Sequence, residues 1–61
     1  MGQGDVYFEF TAIGNSVKVT AIDAATGTEV TAIGPASAAR ADLQQLALGK
    51  LLAKMKRTAN P

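Results

Sequence analysis

Apolar and polar residues alternate with a period of two through the first half of the chain. The alternation is clearest over residues 6–13, where the even positions are all apolar and the odd positions include Glu9 and Thr11. Residues 17–22 and 29–33 alternate in the same way. Such alternation, rich in β-branched and aromatic residues, is typical of strands with one buried face. We therefore predict three strands, over about residues 5–13, 16–23 and 28–34.

The turns between these segments predict how the strands pair. Gly14 and the following asparagine suit a two-residue hairpin loop of type II′, which needs a positive φ at its first position. Closing the chain there places Phe10 opposite Val19. A four-residue loop ending at Gly27 then places Val19 opposite Ala32. A slip of one residue would mix the apolar and polar faces, so the pattern favours this antiparallel meander.

The triplet Thr-Ala-Ile occurs three times, beginning at Thr11, Thr20 and Thr31. In the predicted register its alanines point to the apolar face, and its threonines and isoleucines point to the other face. Threonine hydroxyls on a half-polar face carry no specific chemistry. We interpret the repeat as three similar strands and not as a ligand-binding motif. Asp23, after the second triplet, is expected to cap its own turn.

The second half of the chain predicts one helix. The pair Gly34-Pro35 ends the sheet, because proline cannot donate to a strand ladder, and Ser37 is the predicted N-cap. The residues that follow are mostly strong helix formers, so we predict a helix over about 37–57. The expected fold class is α+β: a three-stranded antiparallel β-meander followed by one C-terminal α-helix (βββα), as a single domain over residues 1–61.

The apolar residues of this helix cover more of its circumference than one sheet needs. A first stripe contains Ala39, Leu43, Leu46 and Ala47. A second stripe, rotated from the first, contains Leu48, Leu51, Leu52 and Met55, with Ala41. One stripe can pack on the sheet, and the other requires a partner. We predict a homodimer with the second stripe in its interface. The short link at Pro35 would also allow a domain swap, in which the helix packs on the sheet of the partner copy. The alternative is that sheet curvature hides both stripes.

Length and composition narrow the classes of protein. A chain of 61 residues buries only about 60% of its unfolded surface, so a further stabilising device is common. Cysteine and histidine are absent, which excludes disulfides, Cys/His metal sites and Cys- or His-based catalysis. Self-association is the device that remains. The apolar runs are too short to cross a membrane, and the start lacks a secretory pattern, so we expect a cytoplasmic location.

Charge is distributed unevenly along the chain. Residues 1–36 carry one basic and four acidic side chains, for a net charge of −3, and residues 37–61 carry five basic and one acidic, for +4. Lys50, Lys54 and Arg57 follow one another at helical spacing and form a basic ridge on one helix face. Such a ridge is a weak indication of nucleic-acid binding, which is the leading alternative function. Cations at a helix C-terminus also favour its dipole.

No arrangement of residues indicates catalysis. The predicted register pairs no two carboxylates, so an acid–base pair is unsupported. Neither a calcium loop nor a dinucleotide or phosphate-binding fingerprint is present. We therefore predict a protein that is not an enzyme, with no catalytic, cofactor-binding or metal-binding residues. Its expected role is that of a small structural or protein-interaction module. An accessory subunit, whose partner supplies the chemistry, is a third possibility.

Four segments of the chain carry a resemblance to a known family. They are residues 6–10 (VYFEF), 17–23 (VKVTAID), 26–27 (TG) and 34–36 (GPA). With the Leu/Lys-rich tail, they resemble a family of short uncharacterised alphaproteobacterial proteins that is defined as a domain of unknown function. The resemblance covers most of the chain. It implies a small meander-plus-helix fold and a dimer, and it implies no activity, so no functional residue is carried over.

Overall fold

The computed structural model describes residues 5–59, and the side chains of residues 5–57. Three strands, β1 (Val6–Ile13), β2 (Ser16–Asp23) and β3 (Glu29–Pro35), are followed by one helix, α1 (Arg40–Ala59). The strands form one antiparallel sheet in the order β1-β2-β3. The predicted α+β fold of three strands and a C-terminal helix is confirmed.

Strand pairing follows the register that the turns predict. Phe10 lies opposite Val19, and Val19 lies opposite Ala32. Gly14 has a φ of 58° and Gly27 a φ of 75°, and no other residue in the described part of the chain has a positive φ. A positive φ at Gly14 alone is what a type II′ hairpin requires, because type I′ needs a second one at the next residue. Both turns are therefore confirmed.

Asp23 caps the second turn with its own side chain. Its Oδ2 accepts hydrogen bonds from the backbone N–H of Thr26, at 3.0 Å, and from the Thr26 hydroxyl, at 2.8 Å. The Asp23 N–H donates to the carbonyl of Thr28 at 2.8 Å, which closes the loop. The side chain is only 5% exposed. The predicted cap is confirmed, and its burial makes these hydrogen bonds important for stability.

Replacing Asp23→Ala is expected to lower the free energy of unfolding by about 1–2 kcal/mol. The change leaves the Thr26 N–H without its partner in a partly buried turn. Urea unfolding followed by circular dichroism measures the loss. Asp5→Ala is the matched control, because Asp5 is exposed, and it is expected to change stability by less than about 0.5 kcal/mol. Equal effects of the two substitutions would contradict this role for Asp23.

Helix α1 begins three residues later than the sequence pattern predicts. Ser37 lies in a turn, so its predicted role as N-cap is wrong. Ala39 occupies the cap position, and its carbonyl accepts from the N–H groups of Asp42 and Leu43 at 3.0 and 3.2 Å. The intervening residues form a turn in which the Ala38 N–H donates to the Pro35 carbonyl at 3.0 Å. This turn carries the chain from β3 over the apolar face of the sheet.

The core lies between α1 and the inner face of the sheet. Its buried members are Val19, Ala21, Ala32, Leu43, Ala47 and Leu51. The three helical members follow one another at intervals of four, so they form one row along the helix. This row crosses both stripes of the sequence analysis, which placed Leu51 apart from Leu43 and Ala47. The helix packs on β2 and β3 of its own chain.

Candidate interaction surface

Strand β1 is the least covered part of the inner face of the sheet. Helix α1 packs mainly on β2 and β3, so the apolar side chains of β1 lie beside the helix and not beneath it. Phe8 and Phe10 are half-buried and touch the edge of the core. Ala12, at the hairpin end, is exposed. The side of the core next to β1 is therefore partly open.

The helix contributes a second apolar row to this opening. On one flank of the helix, Lys50 donates to a carbonyl of β3. At about 100° per residue, Leu48, Leu52 and Met55 lie on the opposite flank. Leu48 and Met55 are half-buried, and Leu52 is 55% exposed. We call the set formed by the helix flank and the inner face of β1 the open strip. Its members are Phe8, Phe10, Leu48, Leu52 and Met55.

Three of the four residues predicted for a dimer interface lie on the open strip. The exception is Leu51, which is 0% exposed and belongs to the core of its own chain. Leu46 lies on the opposite flank of the helix and is 52% exposed. The periodic pattern identified the apolar residues of α1 correctly. It could not assign each to the core or the surface, because that depends on where the helix crosses the sheet.

Arg40 partly shields Phe10. Its guanidinium carbon lies 4.8 Å from the centre of the Phe10 ring, a distance suited to a cation–π interaction. An arginine in the first turn of a helix is disfavoured by the dipole, and this contact offsets that cost. Sequence reasoning missed the pair because its members lie 30 positions apart and belong to different elements. The only local signal was a basic residue where a capping box prefers glutamate.

Two members of the predicted basic ridge lie against the edge of the sheet. The Lys50 ammonium group donates to the carbonyl of Thr31 at 2.7 Å, and that of Lys54 donates to the carbonyl of Glu29 at 3.2 Å. Arg57 is exposed. The ridge therefore has a structural role in joining the helix to β3.

The outer face of the sheet is uncovered and mixed in character. Tyr7, Ile13 and Ile33 are its exposed large apolar residues. Polar neighbours separate them, since Lys18 lies between Thr11 and Ile33 in one row of the register. The outer face thus mixes apolar and polar residues, whereas the members of the open strip are all aromatic or aliphatic.

No preformed small-molecule site is evident in residues 5–59. The part of the chain that the structure describes has no pocket. Within the same residues, no three acidic side chains are grouped so that they could hold a metal ion. No helix in this part combines the length and the apolar character needed to cross a membrane.

Comparison with known proteins identifies a family and no activity. A search of the curated proteins finds no match, and a search of the solved structures finds none. The family model described as a domain of unknown function (DUF6898) matches residues 3–58. The match spans all three strands and most of α1, and so includes both elements of the open strip. The chain therefore belongs to the DUF6898 family, a domain of unknown function.

Proposed function

We propose that this protein is a non-catalytic, homodimeric structural or protein-interaction module. The observation that supports this proposal is the open strip, where Phe8, Phe10 and Met55 are only partly buried against the core and Leu52 is exposed. Apolar surface left uncovered in this way is typical of sites where proteins associate. A second copy of the chain is the partner that needs no further assumption, because a two-fold axis pairs the strip with itself.

Small size adds a physical reason for association. Among residues 5–57, the buried core contains six side chains, three of them alanine. A core this small gives little stability, and oligomerisation is a common remedy in domains of this length. Covering the open strip would remove further apolar area from water, at about 25 cal/mol per Å². We therefore expect dimerisation and folding to be coupled.

Sedimentation at several concentrations is expected to show a dimer that Leu52→Lys dissociates. The substitution places a charge on the open strip, where a partner would bury it, and is expected to weaken the dimer at least about tenfold. Leu46→Lys is the matched control, because Leu46 is equally exposed on the other flank of the helix. It is expected to leave the dimer intact. A wild-type chain that stays monomeric at high concentration would overturn the proposal.

Nucleic-acid binding by the basic ridge is the weaker alternative. Lys50 and Lys54 already donate to carbonyls of β3, and phosphate would compete with these contacts. Salt-dependent affinity for DNA or RNA, lost on Arg57→Ala, would favour the alternative.

The alphaproteobacterial origin and the cytoplasmic location expected from the sequence stay predictions.

A further inference from the structure

The two edges of the sheet differ in how their main-chain groups are satisfied. In an antiparallel pair, alternate residues of a strand direct their N–H and C=O groups to opposite sides. The Ala24 N–H donates to the carbonyl of Asp5 at 2.9 Å, and the Asp23 N–H to that of Thr28 at 2.8 Å. These two bonds show which residues of each strand direct their main-chain groups toward the neighbouring strand. The odd-numbered residues of β1 bond to β2, and the even-numbered residues of β3 bond to β2.

It follows that the remaining residues face outward at each edge. On β3 these are Glu29, Thr31, Ile33 and Pro35. The carbonyls of Glu29 and Thr31 accept from Lys54 and Lys50. A lysine at a strand edge is a common device against pairing with another chain. The helix therefore blocks the β3 edge with Lys50 and Lys54, two of the three residues that form the basic ridge.

The outward residues of β1 have no such cover. They are Val6, Phe8, Phe10 and Ala12. In the described part of the chain, no hydrogen bond outside the sheet reaches their main-chain groups. Strand β1 is eight residues long, contains no proline or lysine, and carries one charge, on Glu9. A long, apolar and unblocked edge strand is a template for pairing with another strand.

We infer that two copies of the chain associate by antiparallel pairing of their β1 edges, giving one continuous six-stranded sheet. This inference deepens the proposed function and rests on it, since it names how the homodimer forms. A second copy suits the edge because an antiparallel strand related by a two-fold axis offers the same alternation of donors and acceptors. The pairing also brings Phe8 and Phe10 of both copies side by side on the inner face, so each strip covers part of the other.

Side-chain and charge rules restrict the register of this pairing. Only the even-numbered residues of β1 have outward main-chain groups, so they must pair with one another, and this keeps apolar residues opposite apolar ones. A two-fold axis at Glu9 would place two carboxylates directly opposite each other, which is destabilising. Among the remaining positions, an axis at Phe10 pairs the longest stretch of β1, residues 7–13, so we place the axis there. In this register the Phe8 N–H donates to the partner copy.

Amide hydrogen exchange, measured by NMR at several concentrations, tests the pairing directly. The amides of Phe8 and Phe10 are expected to become protected at least about tenfold as the concentration rises through the dissociation constant. The outward amides of Thr31 and Ile33, on the lysine-blocked edge, are the internal control and are expected to exchange fast throughout. Fast exchange of the Phe8 and Phe10 amides at concentrations where the chain sediments as a dimer overturns the inferred pairing and leaves the proposed function standing.

Chemical synthesis of the 61-residue chain provides a second, independent test. N-methylation of the Phe8 amide removes one outward donor and keeps the side chain. It acts at two symmetry-related bonds, each contributing about fivefold, so the dissociation constant is expected to rise about 25-fold. N-methylation of Ile33 is the control and is expected to leave the dimer unchanged. A dimer weakened by Leu52→Lys but indifferent to N-methyl-Phe8 overturns strand pairing, and a monomer at every concentration overturns both proposals.

Discussion

Replacing Leu51→Ala is expected to remove a large part of the free energy of unfolding of the chain. Leu51 is the largest fully buried side chain of the core, together with Val19. Truncating a buried leucine to alanine costs about 2–5 kcal/mol, because apolar contacts are lost and a cavity remains. A domain of this length has a total stability of roughly 3–9 kcal/mol. Thermal and urea unfolding, followed by circular dichroism, measure the loss.

Leu46→Ala provides the matched control for the same helix and the same chemical change. Leu46 is about half exposed and lies outside both the core row and the open strip, so its truncation is expected to cost less than about 1 kcal/mol. If the two substitutions lowered stability equally, the assignment of Leu51 to the buried row of the core would be wrong. The comparison therefore tests the one residue of α1 that the sequence analysis assigned to an interface and the structure places in the core.

The sheet could be predicted almost completely from the sequence, because the residues that determine its faces and its register lie close together in the chain. Alternation defines the two faces, and the glycines of the turns fix the register. Gly14 and Gly27 adopt the positive φ that their loops require, and Asp23 caps its turn as expected. Each of these features depends on residues only a few positions apart, for which side-chain chemistry nearly determines the backbone.

The position of the helix over the sheet could not be predicted in the same way. The apolar arc of a helix indicates which residues are buried, but it does not indicate which strand lies beneath them. The connection after Pro35 includes residues that the pattern assigned to the helix. The helix that follows lies over β2 and β3. The open strip and the contact of Arg40 with Phe10 both follow from that placement. So does the lysine-blocked edge, which links residues 19 and 25 positions apart.

A small residue on β3 permits this close approach of helix and sheet. Gly34 faces the inner side, and a Cβ atom added there would overlap the side chain of Leu43. Leu43 is itself buried, so it has little room to move away. In the sequence, Gly34 was interpreted only as part of the signal that ends the sheet. Its contact with α1 gives it a packing role that no local pattern indicates.

The same substitution, glycine to alanine, is expected to have opposite effects at Gly34 and Gly49. At Gly34 the added methyl group overpacks the core against Leu43, which costs about 1–3 kcal/mol. At Gly49, in the middle of α1, an added Cβ meets nothing within 4 Å, so alanine is expected to stabilise the helix by about 1 kcal/mol. The two variants should therefore differ by about 2–4 kcal/mol in free energy of unfolding.

A double variant separates overpacking at Gly34 from a general effect on the strand. Leu43→Val shortens the side chain that the new methyl group would meet, so Gly34→Ala is expected to cost less in that background than in the wild type. Urea unfolding of the four chains gives the coupling between the two positions. Additive effects would show that Leu43 is not what makes alanine unfavourable at Gly34. The expected coupling, by contrast, would show that Leu43 packs directly on Gly34. The lack of a side chain at Gly34 would then be one reason why α1 lies over β3 and leaves the β1 side of the core open.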